Sequence, residues 1–233
     1  MEPPVAEDPN INSRAPRDWR PAAWLSLMAL GVAAVAPMAW FAWQRIDAWG
    51  LGNATPAAQR VALTNDWSDS ASPDYLETIM EISLNQSIPD EGAAYVAAKR
   101  VVELDPSRGF AWATLAYLDT RNAGGEVNEA ALESLTRSMD VCPLCDQSLI
   151  RWRFNFVLAH WDYVPEGLRK RAFEQADILR WTGDNAEFLA EMRFKARLEG
   201  IPFDAYRAAV DTPARSWDIA PAAQRRSVNL PPV

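Results

Sequence analysis

The chain is poor in the residues from which metal centres are built. It has two cysteines and one histidine among 233 residues, whereas a structural zinc site takes four Cys or His ligands. The single histidine, His160, stands beside Trp161 and Asp162 and supplies one ligand at most. We therefore expect no metal site and no cofactor.

Sequence motifs of the common enzyme classes are also missing. The chain has no glycine-rich phosphate loop, no G-x-S-x-G nucleophile motif and no H-E-x-x-H metal motif. Its acidic residues are scattered over predicted helix faces, as solvation requires, and no pair of carboxylates stands in a recognisable catalytic frame. We predict that the protein is not an enzyme.

Positive charge is scarce as well. Lys and Arg number 23 against 31 Asp and Glu, which gives a net charge of -8. A surface that binds nucleic acid needs clustered Lys and Arg to neutralise phosphates. This balance argues against nucleic acid as a partner and leaves proteins and lipid.

What the chain does contain is one long uncharged segment, residues 21–43, which reads PAAWLSLMALGVAAVAPMAWFAW. A helix that crosses a bilayer needs about 20 apolar residues. Indole rings favour the membrane interface, and tryptophans flank this segment at both ends: Trp19, Trp24, Trp40, Trp43 and Trp49. A cleaved signal peptide and a buried hairpin are the alternatives, but bulky aromatic residues stand where a cleavage site needs small ones. The segment predicts a single transmembrane helix in contact with lipid.

The residues that flank this segment predict its orientation. Arg14, Arg17 and Arg20 precede it, whereas Arg45 alone follows closely, with Asp47 just beyond. Positive residues are retained on the cytoplasmic side. We therefore expect a cytoplasmic amino terminus and, in a bacterium, a single-pass inner-membrane protein with a periplasmic carboxy-terminal domain.

The remaining chain divides by composition. Residues 1–20 are polar and proline-containing and predict a disordered cytoplasmic arm. Residues 44–73 form a connector whose first part can extend the anchor helix. Residues 74–210 predict a helical domain, and the proline-containing residues 211–233 predict a disordered tail.

Apolar residues recur at a spacing near 3.6 throughout the helical domain, with short turns between the periodic stretches. No stretch has the alternation of a strand, so the predicted class is all-α. The predicted helices cover 74–84, 89–104, 110–118, 127–139, 149–161, 165–179, 185–199 and 204–210. Their arrangement in pairs predicts a repeat.

Two sequence features recur with the pairs. Trp112, Leu115 and Ala116 form a Trp–Leu–small pattern in a first helix. An alanine in a second helix precedes a turn by twelve positions in three places: Ala94 and Pro106, Ala131 and Pro143, Ala172 and Asp184. Residues 74–199 thereby resemble the tetratricopeptide repeat family, although their spacings of 37 and 41 exceed its usual 34. A helical bundle without a repeat is the alternative.

The resemblance implies an α-solenoid of about three helix pairs plus a capping helix. In such stacks a concave face lined by first helices holds a peptide or protein segment. The candidates for that face are Asn85, Trp112, Tyr117, Asn122, Trp152, Arg153 and Asn155, with core packing as the alternative for the two tryptophans. The function implied is a membrane-anchored scaffold for protein partners, in envelope or exopolysaccharide assembly.

Cys142-Pro143-Leu144-Cys145 is the one motif with covalent chemistry. A disulfide that pins the turn between two repeats is one interpretation, and two inert thiols are another. A third is a thiol-redox or cytochrome c maturation factor, since a helix amino terminus favours a reactive thiolate. Such redox motifs usually belong to a βαβ domain, of which the sequence has no sign.

An accessory subunit of a larger membrane complex, with the anchor helix itself as the contact, is a further alternative for the function of the protein.

Overall fold

The computed structural model describes residues 20–70, 72–181 and 185–210, and only the backbone at 20–27, 31, 34, 36, 37, 41, 180 and 181. Over these residues the chain is helical and contains no strand, which confirms the all-α class. The α-helices are α1 Arg20–Gly52, α2 Pro56–Thr64, α3 Pro73–Leu84, α4 Glu91–Leu104, α5 Gly109–Asn122, α6 Glu129–Val141, α7 Gln147–Ala159, α8 Glu166–Asp177, α9 Asn185–Leu198 and α10 Phe203–Ala209. Short 3-10 helices follow α7 at Trp161–Tyr163 and α8 at Ile178–Trp181.

The chain divides into two compact units, Met1–Ile46 and Asp47–Val233. In the first unit α1 exposes large apolar side chains, among them Leu30 at 75% and Met38 at 74%. The predicted membrane segment, 21–43, lies within α1, and many of its side chains fall outside those described. Judged on the described residues, none of the helices has both the length and the apolar character to cross a bilayer. The predicted arm (apart from Arg20) and the predicted tail also lie outside the described residues.

Within the second unit, consecutive helices pack in pairs. The pairs are α3 with α4, α5 with α6 and α7 with α8, and α4 packs in turn against α5. First helices also contact one another, α5 against α7 and α7 against α9. This repeat-like packing is compatible with a helical repeat of three pairs followed by α9 and α10.

Small residues allow the close approach of paired helices. Ala94, Ala131 and Ala172 lie in the second helices α4, α6 and α8, and all three are almost completely buried. Leu115 and Ala116 on α5 are buried as well. Because an alanine at these positions leaves room for the neighbouring backbone, the spacing seen in the sequence marks true contact positions.

The structure adds one helix that the apolar pattern does not reveal. Helix α2 spans Pro56–Thr64 and has only Ala62 buried. It begins as many helices do, because the Thr55 hydroxyl accepts a hydrogen bond from the backbone N–H of Ala58 at 3.4 Å, and proline follows at the first helical position. The sequence signal for α2 is therefore its cap, since its apolar stripe is short.

A buried arginine joins three helices of the second unit. Arg153 on α7 is 1% exposed, and its guanidinium donates hydrogen bonds to the Cys142 carbonyl at 2.8 Å and to Gln175 Oε1 at 3.3 Å. It also donates to the hydroxyl of Ser138 at 3.0 Å and to the backbone carbonyl of that serine. Burial lowers the pKa of Arg153 to about 10, and nearby Arg171 also lowers it, so the guanidinium stays charged at neutral pH.

This cation has no carboxylate among its hydrogen-bond partners within the described part of the chain. Its partners include the carbonyl groups of Ser138 and Cys142 at the carboxy terminus of α6. The last carbonyls of a helix lack partners within the helix and carry partial negative charge. Arg153 therefore acts as a cap for α6, supplied by the following helix.

Gly109, the first residue of α5, lies against this cap. A Cβ atom at that position would stand 2.7 Å from the Cβ of Cys142 and 3.3 Å from a methyl group of Leu149. The Ser138 hydroxyl donates to the Gly109 carbonyl at 2.6 Å. A side chain at this position would clash with its neighbours, so glycine is required. The Gly109 carbonyl also belongs to the hydrogen-bond network of Ser138 and Arg153.

Candidate partner-binding groove

A groove of 450 Å³ crosses the first helices of the three pairs. We call it the first-helix groove. The residues that line it come from α3, the α3–α4 turn, α5 and α7, and all but three of them are apolar or aromatic: Glu81, Leu84, Asn85, Pro89, Phe110, Ala113, Thr114, Tyr117, Leu149 and Trp152. Concave, mainly apolar sites of this size are where proteins usually bind ligands.

Each helix gives the groove one stripe of its surface. On α5 the lining residues are Phe110, Ala113, Thr114 and Tyr117, which are spaced i, i+3, i+4 and i+7. Such positions lie on a single helix face. The same spacing holds at the end of α3, for Glu81, Leu84 and the cap residue Asn85, and on α7, for Leu149 and Trp152. The groove is thus built by helical periodicity.

Three aromatic side chains line the groove: Phe110, Tyr117 and Trp152. Phe110 is 41% exposed, a large fraction for a phenyl ring in a folded domain. Trp152 is half-buried and stacks on Phe156 with 5.1 Å between ring centroids. An aromatic ring that is held by its neighbours and still exposed loses little conformational freedom on binding, which favours recognition of a partner.

Polar groups lie at the α3 edge of the groove. Glu81 and Asn85 are exposed there and also line an adjoining cavity of 440 Å³, whose other residues come mainly from α2 and the end of α3. The surrounding protein partly removes water from Glu81 and raises the pKa of its carboxyl. The groove therefore combines an apolar floor with one carboxylate at its rim.

Comparison with protein-family models, with curated proteins and with solved structures finds no match.

Three of the seven residues expected on the binding face line the groove: Asn85, Tyr117 and Trp152. Trp112 is half-buried on α5, and its indole N–H donates to the Pro106 carbonyl at 2.9 Å. Asn122 and Asn155 are exposed but do not line the groove. The structure thus gathers part of the predicted set and separates the rest.

Arg153 requires a correction to its predicted place on the open face. Its side chain is buried and caps α6, so it does not reach a partner in the groove. The physical reason is register, because Arg153 lies three and four residues from Leu149, Ile150 and Val157 along the buried stripe of α7.

Phe110 and Glu81 line the groove, although neither was predicted for the binding face. Phe110 was recognisable as the start of the stripe that ends at Tyr117, seven residues later. For Glu81 no sequence signal exists, because exposed glutamates are common on helices and only the packing of α3 beside α5 and α7 places this one at a cavity.

The two cysteines lie in the turn between α6 and α7. They form a disulfide whose Cα atoms are 5.4 Å apart, an ordinary separation for such a bond. The next residue, Asp146, caps α7 and accepts hydrogen bonds from the backbone N–H groups of Ser148 and Leu149 at 2.6 and 3.1 Å. Because this carboxylate already occupies the helix amino terminus, the helix favours a nearby thiolate much less than an uncapped terminus would.

Metal ligands are not clustered in the described ranges. In residues 20–70, 72–181 and 185–210 no three His, Cys, Asp or Glu side chains are grouped so that they could hold an ion. His160 packs on the ring of Phe156 with 4.7 Å between centroids, and burial lowers the pKa of its imidazole.

Proposed function

We propose that this protein is a membrane-anchored helical-repeat scaffold, similar to tetratricopeptide repeat proteins, whose first-helix groove holds a segment of a protein partner. The observation that carries the proposal is the groove itself, which is lined by the exposed ring of Phe110 and the half-buried ring of Trp152. Exposed aromatic anchors in a concave apolar site are the usual centres of protein recognition.

The dimensions of the groove favour a short peptide segment. The groove extends across α3, α5 and α7, and helices that pack on one another lie about 8–10 Å apart, so the groove is at least about 16 Å long. An extended chain advances about 3.3 Å per residue, and five or more residues are therefore needed to span it. The scaffold would hold its partner through one short linear segment of this kind.

The anchor is part of the proposal and is supported by the sequence. Residues 21–43 are uncharged over their whole length and lie in α1, a 33-residue helix about 50 Å long at 1.5 Å per residue. The large apolar side chains described on α1 are mostly exposed, as contact with lipid requires. With arginines before the segment, the helical domain would lie in the periplasm at the outer face of a bacterial inner membrane. Envelope assembly, including polysaccharide export, is the setting that suits such a scaffold.

Replacement of Phe110 by alanine should weaken capture of the partner. We expect a crosslinked pull-down from carbonate-washed membranes to recover the tagged full chain with a reproducible envelope complex, and Phe110→Ala to reduce the recovered partner by about tenfold or more. Phe194→Ala is the matched control, because Phe194 is another exposed phenylalanine and does not line the groove. Equal recovery with all three proteins, or a chain absent from the washed membranes, would count against the proposal.

A thiol-redox factor is the second candidate, and the exposed Cys145 in a disulfide is the observation that favours it. Only the redox function requires the cysteine side chains. If the chain is a scaffold, Cys142→Ser with Cys145→Ser should leave the recovered partner unchanged within about twofold, since loss of so short a loop closure costs only about 2 kcal/mol. Trapping of a mixed disulfide between a client and the single Cys142→Ser or Cys145→Ser variant would favour the redox function instead.

A further inference from the structure

The segment that contains the groove helices α3 and α5 carries an excess of negative charge. Residues 73–122, which include α3, α4 and α5, contain eight Asp and Glu against four Lys and Arg. Such a surplus attracts cations only where it is not already neutralised by neighbouring basic side chains. The contacts of the four basic residues therefore determine whether negative charge in the groove remains unpaired.

All four basic side chains are engaged by groups of the same segment. Arg108 is the most heavily used, since it bridges α3 and the α4–α5 turn. The contacts are Arg100 with Glu103 at 3.1 Å, Arg108 with Asp74 at 2.8 Å, with Glu77 at 2.9 Å and with Asp105 at 2.7 Å, Arg121 with Glu91 at 3.1 Å, and Lys99 over the ring of Tyr95 at 5.8 Å. All four cations are therefore already paired with groups other than the groove residue Glu81.

Glu81 is the carboxylate that lines the groove, and in the part of the chain that the structure describes no cation pairs with it. Arg60 lines the adjoining cavity but directs its Nε to the Pro56 carbonyl at 3.2 Å. Although Glu81 is exposed, the surrounding protein removes part of the water around its carboxyl and so raises its pKa. A ligand cation at this rim would restore the lost stabilisation.

We infer that the partner segment is cationic and apolar, with a Lys or Arg that pairs with Glu81 and a neighbouring apolar side chain that packs on Phe110 and Trp152. This inference rests on the proposed function, since it names the class of peptide that the same groove takes. The complementarity of charge selects the segment and speeds its association, while the aromatic floor supplies the burial of apolar surface.

Binding of three synthetic peptides to the full chain in mild detergent tests the inference. The peptides share the frame Leu-X-Phe-X-Leu, carry a fluorescent label and have Lys, Gln or Glu at both X positions. By fluorescence anisotropy at low ionic strength we expect the Lys peptide to bind about tenfold or more tightly than the Glu peptide. Added salt should reduce this difference, because the groove rim is open to solvent.

Glu81→Gln should weaken binding of the Lys peptide by about two- to fivefold and leave binding of the Gln peptide unchanged. Glu133→Gln is the matched control, because Glu133 is exposed on the second helix α6 and does not line the groove. The inference is overturned if the Lys and Glu peptides bind with equal affinity or if none of the three peptides binds. It is also overturned if Glu81→Gln leaves the affinity for the Lys peptide unchanged.

Two outcomes separate this inference from the function on which it rests. If the Gln peptide binds as tightly as the Lys peptide and Phe110→Ala weakens both, the groove holds peptides but does not select cations. If the double variant Arg225→Glu and Arg226→Glu binds the Lys peptide severalfold more tightly than the original chain, the occupant is the chain's own carboxy-terminal segment. That result would overturn the assignment to a separate partner.

Discussion

The Gly109→Ala protein should lose about 2–3 kcal/mol of its free energy of unfolding. The added Cβ would lie 2.7 Å from the Cβ of Cys142 and 3.1 Å from Nη2 of Arg153. Real Cβ atoms do not approach another carbon so closely, so the α6–α7 turn would have to move. That movement would also disturb the hydrogen bond from the Ser138 hydroxyl to the residue 109 carbonyl.

The loss is measurable as a shift in the urea midpoint of the full chain in mild detergent, followed by tryptophan fluorescence. Gly167→Ala is the matched control, because Gly167 lies within α8 and a methyl group added there would meet no neighbouring atom within 4 Å. There alanine should be neutral or stabilising by up to about 1 kcal/mol, as helix propensity dictates. Equal changes in the free energy of unfolding for the two substitutions would show that steric contacts do not require glycine at position 109.

Arg153→Met should cost about 2–4 kcal/mol, although methionine fills a similar volume and needs no hydration. The substitution leaves the Ser138 and Cys142 carbonyls and Gln175 Oε1 without the donor that they share. A buried acceptor without a partner costs about 1–3 kcal/mol, and the apolar side chain regains part of that sum. Arg153→Lys should recover little, because an ammonium group cannot reproduce the forked geometry of the guanidinium.

The same urea titration measures this effect, and Arg137→Met is its control. Arg137 is an exposed arginine on α6, so its replacement should change the free energy of unfolding by less than about 0.5 kcal/mol. A loss below about 1 kcal/mol for Arg153→Met would contradict the view that Arg153 caps α6 and holds three helices together.

The helical class and the pairing of helices were predictable because they depend on local patterns. Apolar residues near a 3.6 spacing marked α3 to α9, and alanines twelve residues before a turn marked the contacts of the second helices. Turn residues also predicted the α5–α6 connection, where Gly124 and Gly125 have φ angles of 73° and 97°. These signals are carried by a few neighbouring residues and do not require knowledge of the fold.

The composition of the groove was only partly predictable, because charge and size were given more weight than register. Arg153 was expected on the surface as a charged residue, whereas its position between Ile150 and Val157 on α7 places it inside. Phe110 was not among the residues expected on the binding face, yet it is exposed in the groove. For both residues the face of the helix, and not the residue type, determined the outcome.

Site-specific photocrosslinking in living cells tests the central claim, that the first-helix groove holds a protein partner. A benzophenone amino acid would replace Phe110 in the groove of the full chain and, in separate proteins, Val96 on α4 and Phe194 on α9, which are exposed elsewhere. We predict a discrete crosslinked protein from position 110 and none of that size from positions 96 and 194. The same product from position 96 or 194, with none from position 110, would contradict the account.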